Sequence, residues 1–192
     1  MRQCVNGHGQ SVLLEQTSLM TLIETERAGD HAGIRAVHLA AFPTALEADL
    51  VDRLRADKHA VISLVARDGD SVVGHVVFSP VSVHADATSD NVIAHGLGLA
   101  PLAVLPAFQR RGIGTKLVEE GLEQCRQNAV GVVVVVGDPQ YYSRFGFEPA
   151  RQHNLVDEFT AGDAFQVLMF DAATMPAQGG LVRYGKEFAD LV

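Results

Sequence analysis

The sequence predicts one mixed α/β (α+β) domain, in which a central mixed sheet is flanked by helices. Its 192 residues are 47% apolar, which is enough to build a single hydrophobic core. β-Branched runs alternate with stretches of helical periodicity, and no repeat, low-complexity stretch or linker divides the chain. We place the domain at residues 20–172, after a polar tail over residues 1–19 and before a C-terminal extension, residues 173–192, that packs on it.

The first half of the domain is predicted to start with a strand and two helices. The strand covers residues 21–27, and Asp30 follows as the N-cap of the first helix, which Pro43 ends. The second helix starts at Thr44 and Glu47, whose three-residue spacing is typical of a capping box. Helical periodicity continues beyond each start, so both segments are predicted to bury one face.

A β-hairpin and a strand-helix-strand unit are predicted next. The β-branched runs 61–67 and 71–78 flank an Asp-Gly-Asp turn, which is typical of an antiparallel hairpin. An extended segment from about residue 97 to 105 leads into a helix over residues 115–128. Five consecutive valines, residues 132–136, then predict a strand buried on both faces, as in a strand parallel to its neighbour.

The chain after the valine strand is predicted to contain a short helix and a last strand. Asp138 caps the helix, Pro139 opens it, and Gly146 ends it. Residues 165–170 form the last clear strand. The predicted sheet is therefore mixed, with an antiparallel hairpin on one side and a parallel crossover in the middle.

Composition and charge exclude several functional classes. A net charge of −8 disfavours a nucleic-acid binder, because phosphate backbones need clustered cations. No apolar run approaches the ~18 residues of a membrane helix, and no apolar region follows a basic head as in a secretory signal. Cys4 and Cys125 lie too far apart for a metal-binding pair or a disulfide framework. We therefore expect a cytoplasmic protein without a bound metal.

A charged, glycine-rich corner, QRRGIG, joins the predicted fourth strand to the following helix. A helix that starts after Gly112 and Gly114 points free backbone N–H groups and its positive dipole end at this corner. Arg110 and Arg111 add the positive charge that an acidic protein needs to attract a phosphorylated ligand. The corner is therefore a candidate phosphate site, although the glycines alone fit an ordinary loop equally well. It matches neither the P-loop nor the dinucleotide-binding fingerprint.

Two segments around this corner resemble a known family. PLAVLPAFQRRGIGTKLVEEGL is similar to the central motif of the GNAT superfamily of acetyl-CoA-dependent N-acetyltransferases, whose loop reads Gln/Arg-x-x-Gly-x-Gly/Ala. YYSRFGFEP resembles the next segment of that family, at the expected distance. The resemblance is specific over residues 97–149, and the order of elements extends it over residues 21–171. GGLVRYGKEF further resembles the YhbS-like branch of the superfamily.

The resemblance implies the GNAT fold and the direct transfer of an acetyl group from acetyl-CoA to a primary amine. The acceptor would be a small molecule or a protein amino group, with no metal, nucleic acid or membrane involved. Whether the chain forms a homodimer stays open. The alternative is a non-catalytic module that holds acetyl-CoA as a structural or sensory ligand. An unrelated phosphate-binding enzyme is a third, more distant reading.

The resemblance also assigns roles to residues. Coenzyme binding falls on the fourth strand and the corner: Leu102, Ala103, Val104, Gln109, Arg110, Arg111, Gly112, Ile113, Gly114 and Thr115. The backbone N–H of Val104 would polarise the thioester carbonyl, and the Tyr142 hydroxyl would protonate the departing thiolate. Tyr142 also fits a buried structural role, which we expect for Tyr141.

The general base is open, because GLGLAPLAV lacks the carboxylate that some family members carry on the fourth strand. An acceptor amine with a pKa near ~10.4 must lose a proton before it attacks. Glu47, Asp49, His75 and His95 are candidates. Each also fits an ordinary surface charge or a hydrogen-bonded histidine, and a chain of water molecules would serve equally.

Overall fold

The computed structural model describes residues 21–88 and 90–191. The expected polar tail and Cys4 lie outside the described residues. The helices and strands follow in this order: β1 (Leu22–Thr25), α1 (His31–Ala41), α2 (Leu46–Ala56), β2 (Ile62–Asp68), β3 (Ser71–His84), β4 (Val92–Val104), α3 (Ile113–Gln127), β5 (Val132–Val136), α4 (Pro139–Tyr142), β6 (Glu148–Pro149), β7 (Leu155–Asp157), β8 (Phe165–Met169) and β9 (Gly180–Arg183).

The strands form one mixed sheet with the order β1-β2-β3-β4-β5-β8-β6, and β9 pairs with both β3 and β7. β1 to β4 are antiparallel neighbours, whereas β5 runs parallel to β4 and antiparallel to β8. The mixed fold class, the hairpin and the parallel valine strand are therefore confirmed. Residues 173–191, expected as an extension, contribute β9 to this same sheet.

Helices cover the two faces of the sheet. Successive side chains of β2 alternate between them: Leu64 packs with the apolar face of α3, and Val65 packs with α1 and α2. Leu117 of α3 and Leu50 of α2 are both fully buried. The helices thus enclose the middle of the sheet, and the end of β4 lies between the two helical layers. Among the described residues, no helix has the length and apolar character needed to cross a membrane.

The structure extends two strands beyond their predicted bounds. β3 continues to His84, and β4 starts at Val92, five residues earlier than expected. The reason is mutual pairing, because the two strands stay paired, across two register shifts, as far as the His84–Val92 pair.

The caps predicted for the first two helices differ in outcome. Asp30 is the N-cap residue of α1, as predicted, but its side chain makes no capping hydrogen bond, because its carboxylate accepts the Arg27 N–H at 2.8 Å and pairs with Arg67. The capping box predicted for Thr44 and Glu47 is wrong, since Ala45 is the N-cap of α2 and the Thr44 hydroxyl accepts the Leu46 N–H, at 3.4 Å. In the first case a partner on the neighbouring strand replaced the local interaction.

Candidate active site

β4 and β5 part near the middle of the sheet. Their parallel ladder contains two pairs, Leu97 with Val133 and Gly98 with Val134. Beyond this point β4 continues to Val104 while paired with β3 alone among the described residues. The opposite edge of β4 is therefore open, and two cavities meet at this gap.

The first cavity, which we call the α3 groove, has a volume of about 480 Å³ and lies against the N-terminus of α3. Eight of the ten residues predicted to bind the coenzyme line it: Leu102, Val104, Gln109, Arg110, Gly112, Ile113, Gly114 and Thr115. Ala103 does not, because its buried side chain is on the other face of β4, in register with His75. Arg111 also lies outside the lining, with its guanidinium 5.1 Å from the centre of the Phe108 ring.

Glycines shape the floor of the groove. Gly112 is the N-cap of α3 and has a φ of 80°, a conformation that favours glycine. A Cβ atom on Gly114 would lie 2.9 Å from the Tyr141 hydroxyl and 3.8 Å from a methyl group of Val104, so a side chain there would intrude on the groove. The Gln109 side chain donates to the Val104 carbonyl at 3.0 Å and ties the corner to β4.

Free donors and positive charge surround this floor. α3 has no side-chain cap at its N-terminus, so the N–H groups of its first turn are available to an anion. Arg110 and Arg144 line the groove, and Arg144 lies 4.8 Å from the centre of the Tyr141 ring. Neither arginine forms an ion pair with a described residue. The groove therefore suits a phosphorylated ligand, and Arg144 is a contributor that the sequence analysis missed.

The second cavity, which we call the aromatic pocket, has a volume of about 410 Å³. Five of its lining residues are aromatic: Phe42, Tyr142, Phe159, Tyr184 and Phe188. Glu47 is its one charged lining residue in the described part of the chain, and Leu102 lines both this pocket and the α3 groove. A polar, cationic groove thus meets an apolar pocket at one residue of β4.

Two neighbouring tyrosines face different cavities. Tyr141 lines the α3 groove, whereas Tyr142 lines the aromatic pocket. The Tyr142 ring packs against Gly137, where a Cβ atom would approach within 2.4 Å of the ring. Burial raises the pKa of Tyr142, so its hydroxyl stays protonated and can donate. The predicted Asp138 cap is observed, since its carboxylate accepts the Gln140 N–H at 2.9 Å.

Three of the four base candidates lie away from the two cavities. Asp49 pairs with Arg35 at 2.8 Å, and His95 is exposed on β4 before the gap. His75 is fully buried. Glu47 alone among the four lines a cavity.

His75 belongs to a buried polar chain behind β4. Its Nδ1 lies 2.8 Å from His38 Nε2, and its Nε2 lies 2.8 Å from the Ser63 hydroxyl, which donates to Glu26 at 2.6 Å. Because Ser63 gives its proton to Glu26, it must accept one from His75 Nε2, and His75 Nδ1 must in turn accept one from His38. Both histidines are therefore neutral.

The pKa values of the groups in this hydrogen-bonded chain agree with two neutral histidines. Burial lowers the pKa of both histidines, to about 3 for His38. Burial alone would raise the pKa of Glu26, but hydrogen bonds from His75, Arg55 and Ser63 bring it well below its usual range. The chain ends in a two-point ion pair between Glu26 and Arg55, at 2.9 and 3.1 Å. Among the described residues, no cluster of His, Cys, Asp and Glu could hold a metal ion.

The chain is similar in sequence to known acetyltransferases. The acetyltransferase (GNAT) family model matches residues 19–147. The chain is 37% identical over 169 residues to the uncharacterized N-acetyltransferase YhbS of Escherichia coli (strain K12), an alignment that covers 87% of this chain and 98% of that protein.

Two solved structures extend the likeness to three dimensions. Escherichia coli YhbS in complex with CoA superposes with a TM-score of 0.81 at 36% identity, over 90% of this chain and 93% of that one. A GNAT family acetyltransferase from Brucella melitensis in complex with acetyl-CoA superposes with a TM-score of 0.70 at 36% identity, over 88% of this chain and 99% of that one. These findings confirm the resemblance seen in the motifs: the chain belongs to the acetyltransferase (GNAT) family.

Proposed function

We propose that this chain transfers the acetyl group of acetyl-CoA directly to a primary amine of a small molecule or a protein. The observation that carries the proposal is the meeting of two chemically different cavities at Leu102. One offers free N–H groups and arginines to a phosphorylated cosubstrate. The other offers a carboxylate within an apolar space to an amine. Family membership and relatives in complex with CoA and acetyl-CoA support the same cosubstrate.

The α3 groove and the open edge of β4 suit the two parts of the coenzyme. The pyrophosphate would accept hydrogen bonds from the N–H groups at the start of α3, between Arg110 and Arg144. The pantetheine arm would lie along β4 from Leu102 to Val104 and use backbone groups that no strand occupies.

The direction of the Val104 N–H supports its role at the reacting carbonyl. The N–H of Leu105 donates to the Val73 carbonyl on the β3 side, at 2.9 Å. Because successive N–H groups of a strand point to opposite edges, the Val104 N–H points toward the gap. There it can stabilise the negative charge that develops on the thioester oxygen.

The reaction exchanges one bond at the thioester carbon and moves protons around it. The amine nitrogen attacks the thioester carbon, the C–N bond forms, and the C–S bond breaks. The departing thiolate takes a proton from the Tyr142 hydroxyl. The resulting tyrosinate, a strong base because burial raises the pKa of this group, takes the second proton from the nitrogen of the new amide. Glu47 is the carboxylate placed to take the ammonium proton, directly or through water. A cytoplasmic setting and a homodimer stay predictions.

Release of free thiol from acetyl-CoA, measured over a panel of amines, polyamines, amino acids, antibiotics and peptides, tests this proposal. At least one amine should raise the rate above that of acetyl-CoA alone, and mass spectrometry should find the acetylated amine. Tight coenzyme binding with no amine-dependent release would instead support the non-catalytic module.

A further inference from the structure

The aromatic pocket defines a narrower class of acceptor. We propose that the acceptor is a primary amine carried on an apolar, ring-sized body, as in an arylalkylamine. The ammonium group lies at Glu47, and the body packs among Phe159, Tyr184 and Phe188. This inference rests on the proposed function and adds the substrate class to it.

The composition of the pocket excludes highly charged acceptors. Apart from Glu47, its described lining is aromatic or aliphatic, with the two tyrosine hydroxyls as the other polar side-chain groups. A polyamine or an aminoglycoside would bring several ammonium groups to a site with one carboxylate. Each unmatched charge would lose its hydration without gaining a partner. A single ammonium group on an apolar body matches the lining in both charge and polarity.

Ring contacts within the protein assemble the aromatic wall. The Tyr184 ring centre lies 5.1 Å from that of Phe159 and 5.0 Å from that of Phe188. Phe42, another aromatic lining residue, stacks on the buried His38 with ring planes 4° apart. These contacts hold the pocket open at about 410 Å³, a volume typical of sites for small organic ligands.

Glu47 is free to receive a cation. Glu47 lies in the first turn of α2, and its carboxylate accepts a long hydrogen bond of 3.5 Å from the Thr44 hydroxyl. No described cation lies within ion-pair distance of its carboxylate. Asp49, two residues further along α2, is by contrast already paired with Arg35 and does not line the pocket. Among the described residues, the charge of Glu47 therefore has no ion-pair partner.

A homologous amine series tests the apolar body directly. We expect kcat/KM at saturating acetyl-CoA to rise about fourfold per methylene from ethylamine to hexylamine, the gain expected for a fully buried CH₂ group. Phenylethylamine should exceed ethylamine about as much as hexylamine does, by roughly 200-fold, and ethanolamine and spermidine should be poor acceptors. A flat series, or a preference for spermidine, would overturn the inference and leave acetyl transfer to amines standing. So would a preference for hexanoyl-CoA over acetyl-CoA, which would assign the pocket to the acyl chain.

Variants separate the two recognition elements. Phe159→Ala should reduce the ratio of kcat/KM for phenylethylamine over ethylamine by about tenfold, a change in selectivity that general loss of structure would not produce. Glu47→Gln should raise the KM for phenylethylamine at least tenfold. Asp49→Asn removes the same charge from the same helix and should leave that KM within twofold. Equal effects of these last two variants would contradict the role of Glu47.

A binding measurement keeps the inference testable if no amine is acetylated. Phenylethylamine and ethylamine are titrated into the CoA-saturated protein in a calorimeter. Tighter binding of phenylethylamine supports the inference even where the proposed function fails. Equal binding, or none, overturns it.

Discussion

The two cavities on either side of the end of β4 are built in opposite ways. The α3 groove consists largely of one continuous stretch, residues 102–115, and offers backbone groups. The aromatic pocket consists of side chains from Phe42 after α1, from α2, β4, β5 and α4, and from the segment from residue 159 to 191. Phosphate and pantetheine can be bound through backbone groups in a local motif. An acceptor is recognised by side chains, which the fold must bring together from distant positions.

Placing an acidic side chain in the groove should have the largest effect. Gly112→Asp adds a carboxylate where we place the pyrophosphate, and two negative charges about 4 Å apart repel by roughly 4 kcal/mol near a protein surface. We expect the affinity for CoA, measured by calorimetry, to fall at least ~100-fold.

Gly162→Asp is the matched control for that change. Gly162 has a φ of 60° and open space around it, as Gly112 does, but it lines neither cavity. This variant has the same added charge and a similar backbone strain, and it should bind CoA as the unchanged protein does. Unaltered affinity in folded Gly112→Asp would place the phosphate site elsewhere.

Removing one hydroxyl should distinguish the roles of the paired tyrosines. Tyr142→Phe keeps the ring packing against Gly137, so coenzyme affinity should persist while kcat falls. General acids contribute ~10²- to 10⁴-fold, and we expect a loss of ~100-fold or less, because a thiol with a pKa near ~8.5 is already a tolerable leaving group. The deficit should shrink with thioesters of more acidic thiols.

Tyr141→Phe removes a hydroxyl from the groove side and should act on coenzyme affinity rather than on turnover. If the Tyr142→Phe variant turns over at the wild-type rate, Tyr142 has a structural role only. A loss of affinity in proportion to rate would make its hydroxyl a binding contact.

Low pH should destabilise the protein through the buried histidines behind the aromatic pocket. His38 and His75 lie between α1 and β3, and their lowered pKa values mean that the unfolded chain binds more protons than the folded one below pH ~6.5. The free energy of unfolding should therefore decrease as the pH is lowered. His38 alone should contribute about 1.4 kcal/mol per pH unit, from pH ~6.5 down to the pKa of His38 in the folded protein, about 3. Glu26 acts in the same direction below its ordinary range, since its folded pKa is also depressed.

Urea unfolding at pH 7, 6 and 5 measures this slope. His38→Leu should be less stable at pH 7 but show a shallower slope. Cys125→Ala, on the groove side in the buried face of α3, should cost roughly 1–2 kcal/mol at every pH. Parallel slopes for His38→Leu and the unchanged protein would exclude His38 as a source of the acid sensitivity.

Much of the groove was predictable because its chemistry is local. Glycines before a helix, flanked by arginines, indicate free N–H groups and positive charge whatever the surrounding fold. Arg144 was missed because it comes from the short helical segment after β5, which reaches the groove through its tertiary position. The role expected for Ala103 and Arg111 stays a prediction, although neither side chain lines the groove.

The aromatic pocket could not be predicted for a related reason. Phe159 lies in a turn after β7 and Phe188 in a short 3-10 helix after β9, and no periodicity in the sequence indicates which side of either segment is inward. The sequence did not indicate the buried histidine chain either, since His38 and His75 are 37 residues apart. Similarly, the Asp30 side chain does not cap α1 because the Arg27 N–H and Arg67 of β2 occupy its carboxylate.

The central claim is that the coenzyme and the amine occupy the two cavities at the same time and react directly. Initial rates measured while both acetyl-CoA and phenylethylamine are varied test it, together with any better acceptor from the panel. Direct attack requires a ternary complex, so double-reciprocal plots should intersect. Parallel lines would indicate an acetylated enzyme intermediate and contradict the account. The one cysteine in the described residues, Cys125, is buried with a thiol pKa raised to about 12, which makes it a poor nucleophile for such a route.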